Sequence, residues 1–282
     1  MEPPGAAAQR LVNARFQAAS AFWTEIYERG DVVALICQRR LAIARAWIDE
    51  LQLPMQSRIL EVGCGAGLMA VELARKGFEV DATDTVAEMI ELTRRRGEQA
   101  NVSARLRTVL NDVHALDFDE ETFDVVTALG VIPWLHSPQT AVHEIARVLK
   151  PGAHLIVTAN NIGRLTHLID PKYNAALRPF RRALKGLLNR LGIHFPPGGA
   201  PPRFHSLREF EALLSAVGLQ TVKGFTLGFG PFTFCGRRVL PARLELRLHH
   251  WLQRRAERGI PGIRSLGAQY LVLARKAANE PS

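Results

Sequence analysis

Short apolar runs of strand length recur between residues 57 and 160 of the chain. The first run, Ile59 to Val62, is rich in β-branched residues and leucine, and a helical pattern follows it from Leu68 to about Lys76. Four further runs predict strands at 77–84, 109–113, 123–130 and 153–159. Pro151 and Gly152 are expected to close the helix that precedes the last of these. The pattern predicts an α/β fold in which strands and helices alternate.

The turn between the first strand and the first helix contains three glycines, at positions 63, 65 and 67. Glycine permits positive φ and lacks a Cβ atom, so this turn can bring backbone N–H groups close to a ligand. The dinucleotide fingerprint G-x-G-x-x-G would need glycine at Leu68, and no Gly-Lys-Ser/Thr of a phosphate-binding loop follows. Glu61, two residues before the first glycine, would repel a pyrophosphate and attract an ammonium group.

Acidic residues end the next two predicted strands. Asp84 lies about twenty residues after the glycine turn, where a carboxylate can accept both hydroxyls of a ribose. Asp112 ends the third strand. Either acid alone could be an ordinary turn residue, but their order after the glycine turn favours a binding role.

This ordered set of motifs resembles that of the class I S-adenosylmethionine-dependent methyltransferases, in particular the small-molecule branch with the ubiquinone and menaquinone methylases. The motifs are E-V-G-C-G-A-G at 61–67, the acid at 84, N-D-V at 111–113, F-D-V-V at 123–126 and E-I-A-R-V-L-K-P-G at 144–152. The resemblance is strong over 57–160 and looser over 204–276. It implies a Rossmann-like, seven-stranded, mostly parallel sheet with an antiparallel last strand and helices on both faces.

The resemblance also implies S-adenosylmethionine as the cofactor and a set of positions that bind it. They are Glu61, Gly63, Cys64 and Gly65 at the methionine end; Asp84 at the ribose hydroxyls; Thr85, Met89, Asp112 and Val113 around the adenine; and Leu129 with Gly130 beside the sulfonium. We interpret Cys64 as a small filler of the turn and not as a nucleophile.

Methyl transfer to a hydroxyl or an acidic carbon needs a group that removes a proton near the methyl. His136, in the segment after the fourth strand, is the first candidate, and His167 and His205 rank below it. Tyr27, in an aromatic cluster of the N-terminal arm, is the second residue assigned to catalysis. A solvated loop histidine and simple packing of the aromatic residues stay open as alternatives.

Positive charge is concentrated in two segments outside the motif-bearing region, although the net charge of the whole chain is +9. Residues 163–203 contain eight Lys or Arg against one Asp, and residues 237–264 contain eight Arg against two Glu. Each segment predicts an amphipathic helix, at 177–191 and 240–256. Three interpretations stay open for them: a surface helix packed on its own domain with its charges solvated, a helix on an anionic membrane surface, or a nucleic-acid site.

Nucleic acid is the least favoured of these partners, because no RNA-binding module is present. The sequence after strand four, Leu129 to Trp134, also differs from the Asn-Pro-Pro-Tyr motif of amino-directed nucleic-acid methylases. The three cysteines form no C-x-x-C pair, so neither a disulfide framework nor a metal site is expected. Without a signal-peptide pattern or an apolar run of membrane-spanning length, we expect a cytoplasmic protein with peripheral membrane contact as an option.

We therefore expect an N-terminal helical cap over 1–50, a cofactor-binding core over 51–160, a basic lid over 161–203 and a C-terminal part over 204–282 with an insertion at 232–264. The expected activity is methyl transfer to a small, lipophilic molecule, with oxygen favoured over carbon as the acceptor. An RNA or tRNA methyltransferase and a non-catalytic cofactor- or membrane-binding module are the alternatives. The substrate and the oligomeric state are not fixed by the sequence.

Overall fold

The computed structural model describes residues 5–190 and 201–278. Its helices are α1 (Ala6–Ala18), α2 (Ser20–Glu25), α3 (Val32–Glu50), α4 (Leu68–Arg75), α5 (Ala87–Gln99), α6 (Pro138–Val148), α7 (Leu165–Ile169), α8 (Arg178–Arg190), α9 (Leu207–Ser215) and α10 (Ala242–Glu257). Its strands are β1 (Arg58–Val62), β2 (Glu79–Asp84), β3 (Leu106–Leu110), β4 (Phe123–Ala128), β5 (Leu149–Asn160), β6 (Leu219–Leu227), β7 (Thr233–Phe234), β8 (Arg237–Arg238) and β9 (Gln269–Lys276).

Seven of these strands form one sheet in the order β3-β2-β1-β4-β5-β9-β6, and β7 and β8 form a separate hairpin. The pairs from β3 to β5 are parallel, whereas β9 runs antiparallel to both β5 and β6. The predicted seven-stranded, mostly parallel sheet with an antiparallel last strand is thereby confirmed. The carboxyl ends of β1, β2, β4 and β5 meet at one edge, which is where ligands bind in open α/β sheets.

Helices cover both faces of the sheet because the central strands are apolar on both sides. Along β1, Ile59 belongs to the core cluster shared with α3 and α4, and Leu60 belongs to the opposite cluster shared with α6 and α9. Both residues are fully buried. This two-sided burial explains why the strands in this region read as continuous apolar runs and not as alternating patterns.

The N-terminal fifty residues divide into two parts. Helix α3 packs on the sheet through Leu41, Ala44 and Trp47, which belong to the same cluster as β1 and β9. Asp31 caps the start of α3 by accepting the N–H groups of Val33 and Ala34. The covering part is therefore α1 and α2, and α3 is one of the layer helices.

The boundary between α6 and β5 differs from the prediction. The helix ends at Val148 and the strand begins at Leu149, so the helix ends before Pro151 and Gly152 and is not closed by them. A residue that precedes proline disfavours the helical region, so Lys150 is already extended. The chain makes its turn into the sheet three residues earlier than the Pro-Gly signal suggests.

The basic helix α8 has no buried residue, although its sequence is strongly amphipathic. The large apolar side chains around it are exposed: Leu177 by 40%, Phe180 by 68%, Leu184 by 46% and Leu187 by 54%. Leu191 and most of the Pro-Gly-rich segment 196–202 lie outside the described residues. Within the described chain, then, the interpretation of α8 as a helix packed by its apolar face on its own domain is wrong.

The buried face of α10 is also not the predicted one. The sequence pattern favours Leu240, Leu244, Leu248 and Trp251, of which Leu244 and Trp251 are exposed by 50% and 43%. The polar residues Glu245, His249 and Gln253 are buried instead. Gln253 and Glu245 accept backbone N–H groups of the 228–232 loop at 2.9 and 3.0 Å, and His249 Nδ1 lies 2.9 Å from a carbonyl of the same loop. Burial of these side chains is favourable because they satisfy loop groups that have no strand partner.

Candidate functional site

A cavity of about 420 Å³ opens at the carboxyl ends of the parallel strands, beneath α1 and α2. The residues that the sequence assigns to the cofactor all line it: Glu61, Gly63, Cys64, Gly65, Asp84, Thr85, Met89, Asp112, Val113, Leu129 and Gly130. The fold therefore brings residues from the ends of four different strands together. The order of the motifs predicts this convergence only when the fold is also assumed.

The glycine turn presents its backbone to this cavity. Gly65 has φ +53°, and a Cβ atom built on it would meet no other atom within 4 Å. Gly67 has φ +73°, but its Cβ would come within 2.6 Å of the Thr93 side chain. Gly65 therefore keeps cavity space free for a ligand, whereas Gly67 is required for packing of the turn.

The carboxylate of Asp84 fixes the glycine turn to the end of β2. One oxygen accepts the Gly65 N–H and the other accepts the Val86 N–H, each at 3.0 Å. Burial raises the pKa of Asp84, and these backbone hydrogen bonds oppose the rise. Because each carboxylate oxygen can accept more than one hydrogen bond, Asp84 keeps acceptor capacity for a ligand.

Glu61 is the most strongly perturbed acid of the cavity. Its side chain is buried, and Oε2 has no hydrogen-bond partner among the described residues. Burial raises the pKa of Glu61 to about 8, and the nearby Asp84 adds to the rise. A buried carboxyl oxygen without a partner is suited to a ligand that brings a positive charge.

The other acid of the predicted set, Asp112, lies at the mouth of the cavity beside His114. Its Oδ1 accepts the His114 N–H at 3.0 Å and lies 2.6 Å from the ring nitrogen Nδ1. Burial alone would raise the pKa of Asp112, but the hydrogen bonds from His114 bring it below its usual range. The carboxylate is therefore held in its ionised, accepting form.

Known proteins share both the sequence pattern and the fold. A family model described as a methyltransferase domain matches residues 60–157. The ubiquinone biosynthesis O-methyltransferase of Alkalilimnicola ehrlichii is 33% identical over 148 residues, which cover 52% of this chain and 58% of the relative. The chain thus spans little more than half the length of the curated relatives that it matches. Residues 60–157 of this protein are thus similar in sequence to the methyltransferase domain.

Solved structures share the fold of this protein. The magnesium protoporphyrin IX methyltransferase of Synechocystis PCC 6803, with bound SAH, has a TM-score of 0.60 at 14% identity and covers 96% of this chain and 100% of its own. A 4+2 cyclase has a TM-score of 0.51 at 18% identity over 93% of this chain and 82% of its own. Because a cyclase shares the fold, the fold by itself does not establish methyl transfer.

Aromatic side chains from the N-terminal helices cover the cavity. Phe16 packs edge-on against Trp134 with ring centroids 5.2 Å apart, and against Trp23 at 5.6 Å. Tyr27 also lines the cavity and packs with the adjacent apolar clusters. The predicted catalytic residue Tyr27 is thus at the cavity, although its role stays a prediction.

His136 is not among the residues that line the cavity, although its neighbour Leu135 is. Its ring stacks on His114 with centroids 3.7 Å apart, and a Cβ at Gly5 would come within 2.3 Å of it. Burial lowers the pKa of His136, and His114 lowers it further. His167 and His205 are also absent from the lining, so the described structure brings no candidate histidine into the cavity.

Two arginines of the cavity were missed by sequence reasoning. Arg40 is 7% exposed, its Nε has no partner, and its Nη1 would lie 2.8 Å from a Cβ at Gly130. Arg164 follows β5 and also lines the cavity. For Arg40 a signal did exist, since it occupies the buried stripe of α3 between Ile36 and Ala44. A charge on an apolar helix face is expected to have a partner or a ligand.

The described residues contain no group of three or more His, Cys, Asp or Glu side chains that could hold a metal ion. Cys64 is buried with its Sγ 3.5 Å from Thr93 Oγ1, and burial raises the pKa of its thiol well above the usual value. A thiol in this state is a poor nucleophile at neutral pH, which agrees with the interpretation of Cys64 as a filler.

Proposed function

We propose that this protein transfers a methyl group from S-adenosylmethionine to an oxygen atom of a small molecule. The observation that carries the proposal is the meeting of Glu61, the open face of Gly65 and the Asp84 carboxylate in one cavity. This set is complementary to a ligand with an ammonium group at one end and a ribose further along. A dinucleotide would place a pyrophosphate against the turn, where Glu61 offers no positive charge to pair with it.

The chain's own residues account for each end of this cofactor. The buried oxygen of Glu61 would accept the ammonium, and Arg40, which has no carboxylate partner among the described residues, would bind the methionine carboxylate. Asp84 would accept the ribose hydroxyls, and Asp112 would accept the adenine amino group. The bound cofactor supplies a methyl group activated by the sulfonium, so the protein has mainly to align the acceptor and exclude water.

Leu129 and Gly130 follow β4 and line the cavity, and they would lie beside the sulfonium of the cofactor. An acceptor placed there would be covered by the aromatic roof of Phe16, Trp23 and Trp134, which suits an aromatic or lipophilic molecule. An O-methyltransferase among the relatives favours oxygen over carbon. Tyr27 would hold or remove the acceptor proton, and His136 could do so only if the segment after β4 rearranged.

The test of the cofactor is a calorimetric titration with S-adenosylmethionine and then with NADH, at pH 6.5 and 7.5. Because the pKa of Glu61 is about 8, it is protonated in the free protein and must ionise to pair with the ammonium. Binding should therefore release about one proton, and affinity should rise about tenfold per pH unit up to pH ~7.5. Above that pH the cofactor's own ammonium begins to titrate. NADH should not bind.

The Glu61→Gln variant is the control, since it keeps the shape of the side chain and removes the titration. It should bind more weakly and release no proton. If S-adenosylmethionine does not bind to the wild-type protein, the proposed function is wrong. If it binds, formation of S-adenosylhomocysteine is then followed with phenols, quinone precursors and RNA as acceptors. Turnover with RNA and with no other acceptor would favour the nucleic-acid alternative. Absence of turnover with every acceptor would favour the non-catalytic alternative.

We also propose that α8 brings this methyltransferase to an anionic membrane surface. Its exposed apolar side chains, centred on Phe180 and Leu184, lie on a helix with five Lys or Arg, and residues 171–190 contain no acidic residue. A helix of this kind can lie in the interface with its apolar face in the lipid and its cations at anionic headgroups. Among the described residues, none of the helices combines the length and the apolar character that a bilayer crossing requires.

Sedimentation with vesicles tests this surface. The full chain should pellet with vesicles that contain phosphatidylglycerol and much less with pure phosphatidylcholine, and salt should weaken the binding. The double variant Phe180→Ser, Leu184→Ser should lose about tenfold or more, because two apolar side chains no longer enter lipid. The matched control is Val222→Ser, which removes a side chain exposed by 57% on the edge strand β6. Equal loss in both variants would contradict a specific role for α8.

A further inference from the structure

The cavity lining also contains the guanidinium of Arg164, which has unused hydrogen-bond donors. Arg164 lies in the turn after β5, and its Nη2 donates to the Gly230 carbonyl at 2.9 Å. Its Nε is buried and has no partner. No carboxylate of the described residues 5–190 and 201–278 forms an ion pair with it. Several N–H donors of this side chain therefore remain available at the cavity.

The nearest acid along the chain does not compensate this charge. Asp170, six residues after Arg164, is buried, but its carboxylate accepts hydrogen bonds from Thr233 Oγ1 and from the backbone of Lys172 and Gly236. These bonds hold the 170–174 turn against the β7–β8 hairpin. The Asp170 carboxylate thus accepts hydrogen bonds from neutral donors and forms no ion pair with Arg164.

The position of the guanidinium is fixed by the loops on both sides of it. The Leu165 N–H donates to the Leu266 carbonyl at 2.9 Å, next to Arg164 in the chain. The carbonyl that Arg164 contacts belongs to the 228–232 loop, which α10 holds through Glu245 and Gln253. Polar residues on one helix thereby position the loop, and the loop positions the arginine. A donor group held in this way is preorganised for a ligand.

A guanidinium cannot give up its proton at physiological pH, so burial leaves a charge that must be balanced. Burial lowers the pKa of Arg164, and the nearby Tyr173 opposes this only in part. The planar fork of N–H donors matches the oxygens of a carboxylate or a phosphate. Residues 161–190 contain seven Lys or Arg against one Asp, and this positive charge would attract an anion.

We infer that the acceptor molecule carries an acidic group, a carboxylate or a phosphate, and that Arg164 binds it in the cavity. This inference rests on the proposed methyl transfer, since it assigns the acceptor and not the cofactor. The two arginines lie against different loops, Arg40 at Gly130 and Arg164 at Gly230. We assign the methionine carboxylate to Arg40 and the acidic group of the acceptor to Arg164. The acceptor is then an amphipathic acid with an aromatic or lipophilic body.

The experiment is a calorimetric titration of the full chain saturated with S-adenosylhomocysteine. Benzoate is compared with benzamide, and phenyl phosphate with phenol, so that each acid has an uncharged partner of similar size. In the wild type at least one acid should bind about tenfold or more tightly than its neutral partner, as charge-assisted hydrogen bonds imply. The stronger of the two acids identifies the carboxylate or the phosphate as the natural group.

Arg164→Met keeps the bulk of the side chain and removes the charge, and it should reduce the preference for the acid to less than about threefold. Arg182→Met, on the exposed helix α8, removes the same charge from the lid and should retain the preference. If Arg164→Met does not fold, Arg164→Lys takes its place, and the loss of the two-pronged contact should still lower the preference about threefold or more.

The inference is overturned if neither acid binds at about 10 mM, if acid and neutral partner bind equally, or if Arg164→Met retains the preference. A failure to bind S-adenosylhomocysteine would instead overturn the proposed function. The two failures are therefore distinct, because the cofactor is titrated first and separately.

Discussion

A Gly65→Val protein is expected to fold and to lose measurable binding of S-adenosylmethionine. The Cβ position of Gly65 meets no protein atom within 4 Å, so the valine side chain would occupy the cavity and not the core. The turn backbone is the part of the site that the cofactor must approach most closely. A branched side chain there should weaken binding by about 100-fold or more. Calorimetry gives the affinity, and circular dichroism establishes the fold.

The control for this variant must be a glycine with a similar positive φ that does not line the cavity. Gly259, just after α10, has φ +72°, and its Cβ would also meet no atom within 4 Å. Gly259→Val should therefore lose about 1–2 kcal/mol of stability, as Gly65→Val does through its φ of +53°, and still bind the cofactor. If Gly65→Val is folded and binds like the wild type, the assignment of the turn is wrong.

Asp84→Ala is expected to weaken binding of S-adenosylmethionine by about 10- to 100-fold. The substitution removes a charged acceptor for the ribose hydroxyls, which is worth about 1.5–3 kcal/mol. It also removes the acceptor of the Gly65 N–H, so the glycine turn loses its hydrogen bond to the end of β2. The effect therefore has two parts, and only the first is present in Asp84→Asn if its amide oxygen still faces Gly65.

The measurements are again calorimetric, with Asp117→Ala as the control because Asp117 is exposed and lies outside the cavity lining. Asp84→Asn should fall between the wild type and Asp84→Ala. Wild-type affinity in Asp84→Ala would remove Asp84 from the site and leave its carboxylate with a purely structural role in the turn.

Local sequence signals predicted the fold and the convergence of the glycine turn and the two acids in one cavity. The glycine turn, Asp84 and Asp112 each stand at the carboxyl end of a strand, and parallel strands bring those ends to one edge. The motif order was therefore sufficient to predict that these residues converge. The placement of Glu61 was also readable, since its position before the turn is fixed by the short strand β1.

The acceptor half was less predictable because its residues come from distant parts of the chain. His136 was proposed from its place after β4, but that segment folds back so that its ring stacks on His114. Arg164 has no motif around it, and only the contact with Gly230 reveals it. Similarly, the burial of the polar face of α10 is explained only by the 228–232 loop that packs against it. Hydrophobic periodicity predicts which apolar positions are buried, but it does not show which backbone groups elsewhere in the chain need a hydrogen-bond partner.

The sequence alone determined the sheet, its glycine turn and the acids that face a cofactor, because these depend on strand and turn chemistry within a few residues of each other. The tertiary structure decided which charges are buried without partners, which histidines reach the cavity and which helix face is exposed. Those properties depend on long-range packing: α3 carries Arg40 to Gly130 across ninety residues of chain, and α8 is exposed because no described element covers it.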